Sequence, residues 1–463
     1  MVAVRQGSVT VVWSRCACSA GRGNTRRTRL ARRARRRHLP LSIAAALTLA
    51  LLTPSSASAQ TRVLGPGGWS YFGDPRAVHA GGKTFIGYTD LDGYSRVAEI
   101  EKGRVIRQRR FGPRSRVDDH TNPSIDLQPD GRLSFFYNNH QGPRMYIRST
   151  RYPYSLRSIS SASALPTNTS GRHGYSYPNP LRASSRLWLF WRGGNFQPNY
   201  SVRVPGRWTR AQTLALGPCC YRLSDGRLQR HRPYAKYDTD GQNIHVTMTE
   251  GNEAAYRNSV YYAEVRPGDG LYTATGRRIS RLGDPPAVRD LDRVRGAAAG
   301  QWALDIATQD GRPIVVYRRR GSDGGREYWY ARHNGERWLN YKLTSAYSRY
   351  EGQIASLTLD HETPNTVYLT ANGSNGRHEV EVWATPDGGE TWSRRALTRD
   401  STVDNYRPVT PRRLTAWEEA VWFSGRRTYY REFDTEVIYR LLEAARELAK
   451  RVDPDKGDPS EVR

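Results

Sequence analysis

Cysteine is scarce in this chain, with four among 463 residues. Cys16 and Cys18 fall within the first sixty residues, and Cys219 and Cys220 are adjacent, a spacing at which cysteines rarely bond to each other and cannot staple distant segments. A disulfide scaffold is thereby excluded, and no Cys/His spacing has the form of a zinc site. Acidic residues are missing from residues 1–60, which hold eleven arginines. A run long enough for a membrane span is missing too, because the apolar stretch LPLSIAAALTLALL (Leu39–Leu52) is too short. Its basic flank, and the small residues Ala57 and Ala59 behind it, have the layout of a secretory signal cut after Ala59, so a secreted protein is expected.

What the chain has in excess is arginine. Eleven of its formal +28 charges sit in the leader, which leaves +17 for the rest. After residue 60 these charges are scattered along strands and no Lys/Arg block stands alone. That pattern argues against a nucleic-acid partner and for an acidic extracellular polymer drawn in by the summed field.

From Gln60 to about Asp434 the texture is uniform: short runs rich in Tyr, Trp, Val and Ile, punctuated by Gly, Asp-Gly and Pro, the signature of an all-β chain. Only DTEVIYRLLEAARELAKRV (Asp434–Val452) carries apolar residues at helical spacing. The expected division is a leader at 1–59, a β domain at 60–433, and a C-terminal helix with a charged tail at 434–463. Within the β domain a unit of strand, tight turn and second apolar strand recurs seven times, as in NPSIDLQPDGRLSFFYNN and YPNPLRASSRLWLFWRG, with turns near residues 81, 130, 184, 240, 310, 363 and 418. Repeats of this length with several strands each are the mark of a β-propeller, here of seven blades. The segment TPDGGETW (Thr385–Trp392) fits the Asp-box pattern S/T-x-D-x-G-x-T-W of the sialidase-like superfamily. It supports the fold and carries no chemistry.

One unit carries a histidine at each end: HTNPSIDLQPDGRLSFFYNNH, His120 to His140. Asp130-Gly131 is a strong hairpin turn midway between them. Folding the strands about it sets the two imidazoles opposite one another, beside Asn122 and Asn139, at the open end of the hairpin. One unit later the turn near Ser184 sets Tyr175 or Tyr177 opposite Arg192. In the next, Arg232 and Tyr234 begin the first strand. All these open ends share one face of the propeller, which is where a site is expected. His173, His231 and His245 are weaker candidates, His173 the nearest to competing.

At these residues the sequence resembles the BNR-4-type seven-bladed propellers that include ulvan lyases and rhamnose-glucuronate lyases. The resemblance runs from GWSYFGDPRAV through DDHTNPSI, YSYPNP, LFWRG, RPYAKY and NSVYYAEV to DNYRP. It implies that His120, His140, a tyrosine of the YSYPNP segment (Tyr175 by preference), Arg192, and Arg232 with Tyr234 occupy the family's active-site positions. Some ulvan lyases of this group carry a zinc held by histidines and a cysteine, and no matching set stands here. The resemblance requires no cofactor and is compatible with a structural calcium.

The residue types suit uronate elimination. Arg192 and Arg232 can hold the carboxylate as negative charge develops on it, an imidazole can take the C5 proton, and a phenol, Tyr175 or Tyr177, can protonate the departing oxygen. Sialidase-like or two-carboxylate hydrolysis needs an acidic pair that the proposed face lacks. A non-catalytic glycan-binding propeller is the other reading. Oligomeric state is not legible.

Overall fold

The computed structural model describes residues 61–223, 225–347, 356–414 and 418–442. The leader at 1–59 lies outside them. Nearly all of the regular structure is antiparallel β; the helical elements among the described residues are two single 3-10 turns, Asp119–Thr121 and Val288–Asp290. No helix there is long and apolar enough to cross a membrane.

Each expected strand-turn-strand unit forms an antiparallel pair. Ala77–Ala80 pairs with Lys83–Asp90, Ser124–Leu127 with Leu133–Asn138, Ser176–Ala183 with Arg186–Arg192, and Tyr234–Thr239 with Ile244–Thr249. Three further pairs follow after residue 302. The expectation of seven separate blades is corrected. Five sheets of four to six strands stand apart, built within residues 124–164, 176–213, 234–298, 302–346 and 357–396. The first and last units are fused into one eight-stranded sheet. The cause is strand Thr61–Gly68, which pairs along Glu432–Leu442 and then, through Gly67 and Gly68, crosses to Asp90 and Thr89. Joining the first and last strands of the described residues leaves fewer unpaired edges to be managed.

The expected C-terminal helix is also corrected. Residues 434–442 belong to strand Glu432–Leu442, and 443–463 lie outside the described residues. In that strand Phe433, Thr435 and Val437 are buried while Asp434 and Glu436 are exposed, a two-residue alternation that the apolar run after it masks. The cysteine expectation is corrected as well. Cys219 and Cys220 are joined by a disulfide. It closes a single peptide unit and still staples nothing distant.

Aromatic and branched side chains fill the spaces between sheets, for example Phe190 stacked on Tyr237 at 4.5 Å and Trp69 edge-on to Phe423 at 5.0 Å. The Asp-box does what its pattern implies. Asp387 caps the turn by accepting from Thr391 N at 2.9 Å, and Trp392 packs edge-on to Tyr330 at 5.2 Å.

Where inner strands of several units converge, the lining is charged rather than apolar. His361 lies between Asp305 (3.1 Å) and Asp238 (3.4 Å), Arg412 pairs with Asp238 at 2.5 Å, and Lys236 is bonded to Asp74, which Arg76 also meets at 2.8 Å. Of these, Asp74, Arg76, Lys236, Asp305, His361 and Arg412 line a cavity of about 30 Å³. Burial and Arg412 oppose a charge on His361, yet Asp305 and Asp238 outweigh them and push it up to about 9. A folded value above the unfolded one stabilises the fold fully below pH 6.5, and the contribution is lost as pH rises to about 9. It amounts to roughly 3 kcal/mol. Melting temperature is therefore expected to fall across that window, and His361→Gln to lower the starting value and flatten the fall.

Candidate active site

The hairpin around Asp130-Gly131 pairs Ser124 with Phe136 and Leu127 with Leu133. Gly131 takes φ +80° at the turn, which a residue with a Cβ adopts at a cost. The ladder ends at Ser124, and the 3-10 turn Asp119–Thr121 just before it carries His120 to His140, which follows the strand Leu133–Asn138. The rings stack at 4.0 Å with 5° between their planes.

A single carboxylate holds both. Asp118 caps the turn that carries His120, accepting its backbone N–H at 3.0 Å. Its Oδ1 lies 2.7 Å from His120 Nδ1 and its Oδ2 lies 3.1 Å from His140 Nδ1. Both rings thus spend Nδ1 on the protein, and their Nε2 atoms are the ones left for other partners. Asp119 adds a second contact to His120 Nδ1 at 2.9 Å while binding Arg407 (3.0 Å) and Arg427 (2.7 Å).

Charge divides the pair. Burial opposes a proton on His120, but Asp119 and Asp118 outweigh it and raise its affinity above the ordinary value. His140 is pushed down to about 4 by burial and by the positive charges of His120 and Arg192, against the pull of Asp118. Two stacked imidazoles do not both carry charge, and the carboxylates decide which one does. Both aspartates are held below the usual carboxylate range, against burial, by those histidines and arginines. Asp118→Asn is expected to lower the titration midpoint of His120, read by NMR of the imidazole protons.

Arg192 lies against the pair, its Nη2 3.4 Å from His140 Nε2. Its guanidinium sits over Phe196 (4.6 Å), Tyr177 (4.7 Å) and Tyr234 (5.3 Å). Nε and Nη1 are buried with no hydrogen-bond partner among the described residues.

The choice between Tyr175 and Tyr177 falls against the preferred Tyr175. Tyr175 donates its hydroxyl to Thr167 O at 2.7 Å and packs on Trp191, away from the histidines. The residue paired with Arg192 is Ser176, and a bulge follows before Asn179 meets Phe190. Tyr177 lies in that bulge at φ +60°. This turns its ring to within 5.3 Å of His120 and 6.3 Å of Tyr234. Gln141, Phe196 and Arg407 around the site also hold positive φ, the kind of local strain that collects at functional sites.

Tyr234 takes a hydrogen bond from Asn252 at 3.3 Å. Burial would raise its pKa, but Arg192 and Arg232 bring it down to about 8, whereas burial holds Tyr177 far above the ordinary phenol range. Arg232 lies 5.1 Å over Phe196. Asn122 is turned elsewhere: its amide donates to Gly73 O at 3.1 Å and its oxygen meets Ser70, so it ties down the 70–73 segment. For Asn139 the contact made is through its backbone carbonyl, to Gly142 N at 2.6 Å. His173 stacks on Phe196 at 3.7 Å beside the site. His231 packs between Tyr221 and Tyr256, and His245 is buried against Tyr262, so neither reaches the histidine pair.

Sequence reasoning missed Phe196, Asn252, and the pair Tyr430 and Arg431. Tyr430 stands edge-on to His120 at 4.7 Å, its carbonyl accepts from Asp119 N at 3.0 Å, and Arg431 reaches Asp118 at 3.2 Å. These two come from the last hairpin, outside the recurrent strand pattern, and no local signal marked them.

Among the described residues one group of His and carboxylate donors comes close enough to share an ion: Asp118, His120 and His140. It fits a metal poorly. Its Nδ1 and carboxylate atoms satisfy one another, and Arg192 and Arg431 supply positive charge at the positions an ion would approach. The disulfide leaves Cys219 and Cys220 without a thiolate to offer.

No curated protein is matched by the chain. Among solved structures the fold is similar to that of a PL25 polysaccharide lyase, an ulvan lyase bound to -[GlcA(1-4)Rha3S]-. The identity is 15% and the TM-score 0.62, with 84% of this chain and 99% of that one covered. A second structure described as a PL25 polysaccharide lyase, an ulvan lyase, gives 16% and 0.61, covering 85% and 98%. Polysaccharide lyase Uly1 gives 12% and 0.53, covering 82% and 90%. At such identities the likeness is one of fold. A family model described as BNR repeat-containing family member, BNR_4, matches residues 83–346, more than half of the chain, and the protein belongs to that family.

Proposed function

We propose that the protein is an exported polysaccharide lyase that cleaves a uronate-bearing polysaccharide, of ulvan or rhamnose-glucuronate type, by β-elimination. The observation that carries this reading is the stacked histidine pair beside a buried guanidinium, two of whose donors have no hydrogen-bond partner among the described residues. A carboxylate is the group such a guanidinium holds best, and a bidentate contact is open to it. The fold likeness to ulvan lyases supports the same reading.

In this scheme Arg192, with Arg232, binds the uronate carboxylate. Neutral His140 takes the C5 proton on Nε2, the electron pair moves into the carboxylate as an aci-carboxylate, and Arg192 stabilises that charge. The C4–O4 bond then breaks, and the departing oxygen takes a proton from Tyr234. The products are a C4=C5 unsaturated uronate and a chain bearing a new hydroxyl. Tyr234 suits the donor role better than Tyr177 because its lowered pKa lies closer to neutrality. Tyr177 packs against Arg192 and His120. Asp118 and Asp119 are committed to histidines and arginines, so they are not the free acidic pair that glycoside hydrolysis needs.

The test is to supply the chain from Gln60 with ulvan, gum arabic, glucuronan and glycosaminoglycans and to follow ultraviolet absorbance of the unsaturated product. A rise on a uronate polymer that Tyr234→Phe reduces supports the scheme. Binding without any rise, and without new reducing ends, replaces it with a glycan-binding propeller.

A further inference from the structure

A second groove lies between the sheets built within 124–164 and 176–213. It has a volume of about 540 Å³. Its lining includes Gln128 beside the Asp130-Gly131 turn, Ser185 and Arg186 at the next turn, and Val204 to Gly206 at a third. These are the turn ends of the strands, whereas the candidate active site gathers at their open ends. The two therefore belong to opposite ends of the blades.

Neighbouring gaps at these turn ends are closed. On one side Tyr154 fills the space, lying so close to Gly81 and Gly131 that a Cβ on either would come within 2.4 and 2.6 Å of its ring, and its N–H donates to Gly131 O at 2.9 Å. On the other side Ser184 donates its N–H to Gly241 O and its hydroxyl to Gln242 O, both at 2.9 Å. The gap between them is open, and its walls differ in chemistry. One wall offers the linked polar groups of Gln128, Ser134 and Ser149. Trp208, half-buried, lies at right angles to the ring of Phe136 at 6.3 Å, and Arg203 lies 5.8 Å over its ring. The groove's carboxylate, Asp126, is already spent on Arg182 through two bonds of 2.8 and 2.7 Å. Arg186 and Arg203 are exposed and make no ion pair among the described residues. Arg207, paired with Val204 beside the groove, is exposed as well.

We infer that this groove is a second binding site for an acidic polysaccharide chain, remote from the candidate active site. Arg186 and Arg203 take the carboxylates, the hydroxyl and amide wall meets sugar hydroxyls, and Trp208 presents an aromatic edge to a ring. The choice of a uronate polymer as occupant rests on the proposed function. A long polymer held here raises its own effective concentration at the opposite end of the blades, so affinity for polymer exceeds affinity for a short fragment without any change in chemistry.

The test compares wild type, Arg186→Glu/Arg203→Glu, and Arg192→Ala/Arg232→Ala in native gels cast with ulvan or glucuronan, alongside turnover of the polymer and of its tetrasaccharide. Matching thermal melts confirm that the exposed substitutions leave the fold intact. The groove variant is expected to lose retardation and to raise KM for polymer about tenfold, while kcat and tetrasaccharide turnover stay at wild-type values. Unchanged retardation and unchanged polymer KM overturn the groove while the lyase reading stands. No turnover by wild type, with retardation lost only in the groove variant, overturns the lyase reading while the groove stands. Retardation by double-stranded DNA as strong as by the uronate polymers overturns the assignment to polysaccharide.

Discussion

His140→Ala is expected to lower kcat for elimination by about 10² to 10⁴, the usual contribution of a positioned general base, while polymer binding is largely kept. The choice of His140 over His120 follows from charge. Asp119 and Asp118 favour the proton on His120, and a protonated imidazole cannot accept the C5 proton. His140 shares only Asp118 and is pushed down to about 4, which favours its neutral form near pH 7. The pH profile checks the assignment. Activity should rise as His140 loses its proton, near pH 4, and fall as Tyr234 loses its own, near pH 8. These limbs belong to coupled groups and are read as macroscopic values. Tyr234→Phe should remove the alkaline limb together with most of the activity. A profile whose acid limb is unmoved in an active His140→Gln variant would refute the base assignment.

Arg192→Ala is expected to cost about 10² to 10³ in kcat/KM, the scale of losing one preorganised donor to developing negative charge. Arg192→Lys should recover little of it, because an ammonium cannot present two parallel N–H groups to one carboxylate. A second readout separates this role from simple packing. With the guanidinium gone, His140 loses a repelling neighbour and its midpoint should rise, which NMR titration measures. Tyr234 loses a stabilising cation and its midpoint should rise too. An Arg192→Ala protein that binds and cleaves uronate polymer normally would remove the carboxylate from the scheme.

Much of this site could be read from local sequence. The nearness of His120 to His140 was legible from one Asp-Gly turn midway between them, and the 3-10 turn capped by Asp118 then brings the rings together. The Arg192 and Tyr234 positions follow from repeating the same unit. Choosing Tyr177 over Tyr175 was beyond such reasoning, since a single bulge reverses which side chain faces the site and nothing in SYPNP marks it. Tyr430 and Arg431 were also beyond it. They reach Asp118 and Asp119 across more than 300 positions of sequence, and only closure of the sheets brings them there.

The sequence by itself determined the all-β class, the recurrent hairpin and the convergence of imidazoles, phenols and guanidiniums at the open strand ends, because period and turn chemistry act over a few residues. The tertiary structure alone decided the fusion of first and last units through Thr61–Gly68, the strand in place of a helix at 434–442, and the split of charge between two like rings. Each depends on partners distant in the chain: a strand is defined by what it pairs with, and a pKa by the charges and burial that folding assembles around it.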